Sequence, residues 1–186
     1  MIVIRDIFEQ IVSDVNTEVL AKLQAVDPEI QAVQFMAGHP LEITNRLTKR
    51  DENGLYLEKY PLIALFHDFK EEKGRQVDEY AGLSLRLIIA NNTSSEFIAD
   101  QRYENNFKPI LYPIYESFLK QITLAKKNKL MKWFNTYGVE SIRHTKTDRL
   151  FWGTPTAMTN TSNIFNDYID CIDIQNLELS VNIKNC

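Results

Sequence analysis

Two neighbouring side chains, His67 and Asp68, follow the apolar run Leu62 to Phe66 and invite a metal reading first. An imidazole beside a carboxylate can supply two ligands to a divalent ion that activates water for hydrolysis. Such a centre needs further ligands, an upstream histidine and a downstream aspartate on helices. The remaining histidines, His39 and His144, stand at no ligand spacing. The pair therefore reads as a strand-end histidine beside an exposed aspartate, with a small metal-dependent hydrolase kept as an alternative. Asp167, Asp170 and Asp173 recur every third residue. On a helix they would share a face and could hold a cation; on a strand or loop they scatter, and a solvated edge is the expectation. No glycine belongs to a phosphate-cradling loop, and no G-x-S-x-G elbow occurs. Cys171 and Cys186 have no histidine partner in a known signature and predict no structural disulfide. The sequence thus predicts no catalytic, cofactor-binding or metal-binding residue and no cofactor.

Composition points the same way. The chain has 186 residues, a formal net charge of -4 and an ordinary globular share of apolar and charged side chains. That length buries roughly 70% of the unfolded surface without staples and fits one domain over 1–186. The acidic balance disfavours nucleic acid as a partner. The lysines at 120, 126, 127, 129 and 132 read as complements to a helix C-terminus. No apolar run is long enough for a membrane span, and the opening residues meet charge at once, so a cytoplasmic protein is expected.

The elements follow from periodicity. Ile4, Ile7, Phe8, Ile11, Val12, Val15, Val19, Leu20 and Leu23 mark one face of a helix that must stop by Pro28. Gln31 to Phe35 and Leu41 to Ile43 read as short strands around a Gly38-His39-Pro40 turn. Leu62 to Phe66 is apolar on both faces, as an interior strand would be. Leu83 to Ala90 alternates and then becomes wholly apolar, and the charged connection before it predicts antiparallel pairing. A second helical block runs from about Glu96 to Ala125. Pro109 and Pro113 lie in its opening turns, which predicts a break or kink before Pro113. Tyr103, Phe107, Tyr112, Tyr115 and Phe118 interleave with Ile and Leu at helical spacing and read as core rather than as a stacking surface. Val139 to His144 is a possible strand, and Ile172 to Ile183 a firmer one. In the latter, Ile172 and Ile174 share one phase while Leu177, Leu179, Val181 and Ile183 share the other. A bulge near Gln175-Asn176 reconciles them.

The fold class is therefore α+β, a mainly antiparallel sheet packed on an N-terminal amphipathic helix and a central helix. Two polar stretches, about 44–60 and 145–163, read as long loops suited to docking. The first centres on Lys49, Arg50 and Asp51. The second opens with Phe151 and Trp152, large aromatics with little local core to join. These five residues are the interface candidates.

The ordered segments resemble the tail-completion or tail-terminator proteins of tailed bacteriophages and prophages. The likeness lies in the N-terminal helix (Ile4 to Leu23), GHPLEI (Gly38 to Ile43), YPLIAL (Tyr60 to Leu65), LRLIIA (Leu85 to Ala90) and FKPILYPIYESFL (Phe107 to Leu119). The ending FNDYIDCIDIQNLELSV (Phe165 to Val181) is similar to the closing strand of prophage proteins. The resemblance implies a virion protein at the head–tail junction, a hexameric ring that ends tail-tube growth and meets the head connector. It implies contacts with tail-tube and connector proteins, no membrane or sequence-specific nucleic-acid partner, and residence in the host cytoplasm before the virion. Another neck or connector component of the same particle is the neighbouring reading.

Overall fold

The structure is a computed structural model and describes residues 4–67, 70–73, 80–127, 142–150 and 168–182. Its first element is α1 (Ile4–Val26), whose buried side chains are the stripe predicted from spacing: Ile7, Phe8, Ile11, Val12, Val15, Val19 and Leu23. The helix ends at Val26, two residues before Pro28, with Asp27 N–H still donating to Leu23 O at 2.8 Å.

After β1 (Gln34–Gly38) the chain does not form the expected second strand and loop. Leu41 to Ile43 and most of 44–60 lie instead in α2 (Pro40–Glu52), followed by a short 3-10 turn at Tyr56–Glu58. The reason is local. Pro40 occupies the first helical position, where its missing N–H is no loss, and His39 caps the helix by accepting from Leu41 N–H. The inward face needs only Ile43, Thr44 and Leu47, so the segment is mostly polar and still helical.

The strands are β2 (Leu62–Phe66), β3 (Lys70–Lys73), β4 (Tyr80–Asn92), β5 (Thr145–Arg149) and β6 (Ile169–Asn182). With β1 they form one sheet in the order β1-β2-β4-β6-β5, and β3 continues along the β4 edge that β2 occupies. All pairings are antiparallel except β1 with β2, which α2 connects as a crossover. Thr145 to Arg149, read from sequence as loop, is the outer strand β5, and all five of its residues are exposed. The α+β class with a mostly antiparallel sheet is as predicted.

Helices cover the sheet unequally. One face carries Ile63, Leu65, Leu83, Leu85, Leu87, Ile89, Ile172 and Ile174 against α1 and the central helix. The other carries Met36, Leu62, Ala64, Phe66, Ile88, Ala90 and Cys171 beneath Ile43 and Leu47 of α2. The central block consists of α3 (Ala99–Arg102), a π-helical stretch (Tyr103–Leu111) and α4 (Tyr112–Lys127). Pro109 lies inside the π stretch, and Tyr112 N–H donates to Phe107 O, five residues back. The kink expected before Pro113 takes the form of this change from π to α geometry.

The bulge lies where the phase change put it. Leu85 pairs with Leu177 and Leu87 with Ile174, so Arg86 faces both Gln175 and Asn176. Asn176 takes the left-handed conformation, φ 53°. Ile172, Ile174, Leu177 and Leu179 are all buried as a result. Because asparagine tolerates this conformation and β-branched residues do not, Asn176→Val should lower unfolding free energy by about 1–2 kcal/mol. Asn176→Gly should stay near wild type, both read by urea denaturation.

Candidate docking surface at one end of the sheet

Register fixes which residues share an end. Gln34 pairs with Leu62, Leu62 with Ala90, Ala90 with Cys171, and Cys171 with Arg149. This row crosses the sheet near the C-terminus of α1, the C-terminus of α2, the loop after β4 and the start of the π-helix. Among the described residues, seven of the nine exposed large apolar side chains belong to segments that enter or leave elements at this end. Val26 ends α1, while Leu55 and Tyr56 follow α2. Ile98 and Tyr103 flank α3, Leu150 follows β5, and Tyr168 precedes β6. Contiguous exposed apolar surface of this kind is where an interaction surface would be sought.

A buried polar network builds the frame of this end. Arg102 is 1% exposed and Asp170 is 0% exposed, and Arg102 Nη1 donates to Asp170 Oδ1 at 3.3 Å. The same guanidinium donates from Nε to Phe97 O at 2.9 Å and from Nη2 to Ser94 O at 3.3 Å. Asn106 Nδ2 donates to Asp170 Oδ2 at 3.1 Å and to Asn92 O at 3.2 Å. Asn91 Nδ2 donates to Asn106 Oδ1 at 2.9 Å. Strand β6, the loop after β4 and the π-helix are thereby held as one unit. Above them opens a cleft of about 790 Å³ lined by Asp27, Asn92, Thr93, Phe97, Glu104 and Asn105, among others. It is an open depression on the surface rather than an enclosed pocket. Thr93 Oγ1 is buried and has no hydrogen-bond partner among the described residues.

Asp173, on the opposite face, is likewise fully buried. Its Oδ2 accepts from Arg149 Nε at 2.9 Å, from Gln175 Nε2 at 2.9 Å and from Arg86 Nη2 at 3.5 Å. Burial pushes the Asp173 carboxyl up, but the hydrogen bonds from Gln175, Arg149 and Arg86 outweigh it and hold it below the usual value. Asp170 and Asp173 are therefore not the solvated edge expected from their spacing. Strand β6 is interior, between β4 and β5, so its carboxylates must be met by arginines instead. Asp167 lies outside the described residues.

A third cluster joins α4 to β5. Tyr112 OH donates to Asp148 Oδ2 at 2.7 Å, Lys146 pairs with Asp148 Oδ1 at 2.7 Å, and Lys146 Nζ sits 4.6 Å from the centre of the Tyr112 ring. Tyr115 OH and His144 Nε2 are 2.7 Å apart. Burial, then the hydrogen bond to Asp148, raises the Tyr112 hydroxyl, and burial raises that of Tyr115. Both therefore stay protonated near neutrality.

Of the five interface candidates, Lys49, Arg50 and Asp51 fall in the last turn of α2, at the docking end. Lys49 is exposed. Arg50 is tied to Glu58 O, and to Gln34 Oε1 at 3.4 Å. Asp51 holds the buried Lys59 at 2.7 Å. The latter two fasten the turn after α2. Phe151 and Trp152, with the stretch 151–163, lie outside the described residues; the chain enters them from Leu150. His67 directly follows β2, and Asp68 lies outside the described residues. Among the described residues no group of three His, Cys, Asp or Glu side chains is arranged to hold a metal, and no helix is long and apolar enough to cross a membrane.

Sequence reasoning missed Arg86, Arg102, Arg149, Asn91 and Asn106. A signal existed in Ile169-Asp170-Cys171-Ile172-Asp173-Ile174, where two charges interrupt an apolar strand and require partners. Arg102→Met leaves Asp170 buried without its counter-charge, and should cost about 3–5 kcal/mol in urea denaturation. Pairing it with Asp170→Leu should recover a large part. Asp173 has a lower folded than unfolded value, so its contribution is full at neutral pH and is lost as pH falls through the folded value. The stability gap between wild type and Asp173→Asn should accordingly narrow below about pH 4 in urea titrations. Neither protein-family models nor curated protein sequences return a match to this chain.

Proposed function

We propose that the chain is a structural protein of a tailed phage or prophage particle, which closes into a ring that completes the tail at the head–tail junction. The observation that carries this reading is the outer strand β5. All five of its residues are exposed, and among the described residues it pairs only with β6. An unpaired strand edge is a ready template for another chain. The second sheet edge, β1, lies on the opposite side of the block. Two different surfaces on opposite sides are what a head-to-tail ring contact requires. The order of elements that resembles tail-completion proteins supports the same reading. So does an apolar docking end separate from the edges, since such a ring must also meet the tail tube and the connector.

Purified protein should form closed, hexameric rings as concentration rises, visible by negative-stain electron microscopy and weighed by light scattering. A strictly monomeric species at high concentration, unchanged by added tail-tube protein, would sink the reading.

A further inference from the structure

On the sheet face that carries α2, Asp173 gathers two arginines and uses only part of what they offer. Arg149 Nε and Gln175 Nε2 each donate to Asp173 Oδ2 at 2.9 Å, and Arg86 Nη2 lies 3.5 Å from the same oxygen. Asp173 Oδ1 and Arg86 Nε are buried and have no hydrogen-bond partner among the described residues. An arginine placed only to neutralise a carboxylate gains most by forking across both of its oxygens. Here both guanidiniums converge on one oxygen instead. Arg149 approaches through Nε, so no hydrogen bond among the described residues occupies its Nη1 and Nη2, and Arg86 keeps Nη1. The Phe66 ring, centred 5.4 Å from Arg86 Cζ, steadies that guanidinium from below.

Burial separates the three charges. The Asp173 side chain is 0% exposed, whereas those of Arg86 and Arg149 are 41% and 42% exposed. A ligand therefore meets the guanidiniums and not the carboxylate between them. Arg86 comes from β4 and Arg149 from β5, on either side of β6. The residues paired directly with Asp173, Ile88 and Thr147, are uncharged. Glu178 lies on this face beyond the bulge, opposite Ser84, and forms no ion pair with either arginine. Asp173 is held ionised by its hydrogen bonds, so the cluster carries one excess positive charge. A carboxylate closes that charge to neutrality. A phosphate monoester, at about -1.5 to -2, leaves negative charge in excess beside a buried anion.

We propose that Arg86 and Arg149, held side by side by Asp173, form a binding site for a single carboxylate group. The group is presented either by a small organic acid or by an aspartate or glutamate of another protein. Its two oxygens accept from the unspent Nη groups, the planar match for which arginine is suited and lysine is not. Asp173 is a positioning residue: it fixes both forks and sets the charge that the ligand must balance. The site stands whether or not the chain closes into rings, because it uses side chains on the sheet face and not the backbone edge of β5.

The test is a titration of the full chain at constant ionic strength, following the arginine Nε–H signals by NMR. The probes are acetate, methyl phosphate and two capped serine-rich peptides, one with a single glutamate and one with glutamine in its place. Acetate and the glutamate peptide should shift the Arg86 and Arg149 signals saturably, with a Kd of about 1 mM. Arg5, paired with Glu9 on α1, should not respond. Methyl phosphate should bind more weakly than acetate, and the glutamine peptide should not bind. Arg149→Lys and Arg86→Lys keep the charge that answers Asp173 but lose the fork, and each should weaken acetate binding by about ten-fold. The wild-type titrations decide the matter even if a lysine variant fails to fold. A glutamate peptide about ten-fold tighter than acetate supports the site with a protein as the source, and equal affinity supports it with a free acid. Absence of saturation, equal shifts at Arg5, tighter binding of methyl phosphate, equal binding of the glutamine peptide, or wild-type affinity in both folded lysine variants overturns it.

Discussion

A guanidinium and a carboxylate that have both left water set the geometry of one end of the sheet. Arg102 and Asp170 come from segments 68 residues apart, and each is buried because the other is there. A buried ion pair rarely out-stabilises an apolar pair of the same size, since desolvation offsets most of the attraction. Its stronger effect is on arrangement. Once Arg102 is committed to Asp170, its other donors bind the carbonyls of Phe97 and Ser94, and the loop after β4 has one path. Asn106 then reaches Asp170 from the π-helix and carries the network to Asn91 and Asn92. The cleft wall is the outer surface of that network.

The same logic acts on the opposite face. Strand β6 is covered by neighbours on both edges, and on this face, away from α3 and the π-helix, its buried carboxylate is answered from the adjacent strands. Arg86 of β4 and Arg149 of β5 answer Asp173. The bulge at Gln175-Asn176 lets this happen without losing the core. It resets the phase of β6, so that Ile172 and Ile174 face the same helices as Leu177 and Leu179. Without that reset the end of the strand would turn its leucines away from α1 and α4.

What could be read from sequence was what repeats locally. Helix α1, strands β2 and β4, and the bulge in β6 each announce themselves by spacing within one segment. Helix α2 did not, because Ile43, Thr44 and Leu47 suffice for its inward face and charge dominates its composition. Strand β5 did not either: Thr145-Lys146-Thr147-Asp148-Arg149 buries nothing and so shows no alternation. The site was less legible than the fold. Lys49, Arg50 and Asp51 were singled out as a charged run, yet Arg50 and Asp51 hold a local turn. The cleft is assembled from α1, the end of β4, the following loop and the π-helix, and no local window contains it.

The polarity of β5 does not by itself protect its edge. Charged edge strands resist pairing when their side chains hinder an approaching chain. Here the charges are drawn onto the two faces. Lys146 lies over the Tyr112 ring and pairs with Asp148, which also accepts from Tyr112. Arg149 turns to Asp173 on the other face. The tyrosines stay protonated and keep donating, so this arrangement does not loosen near neutral pH. Among the described residues, a strand whose charges are held to its faces leaves its outer backbone edge uncovered, and that is the condition strand pairing between copies would need.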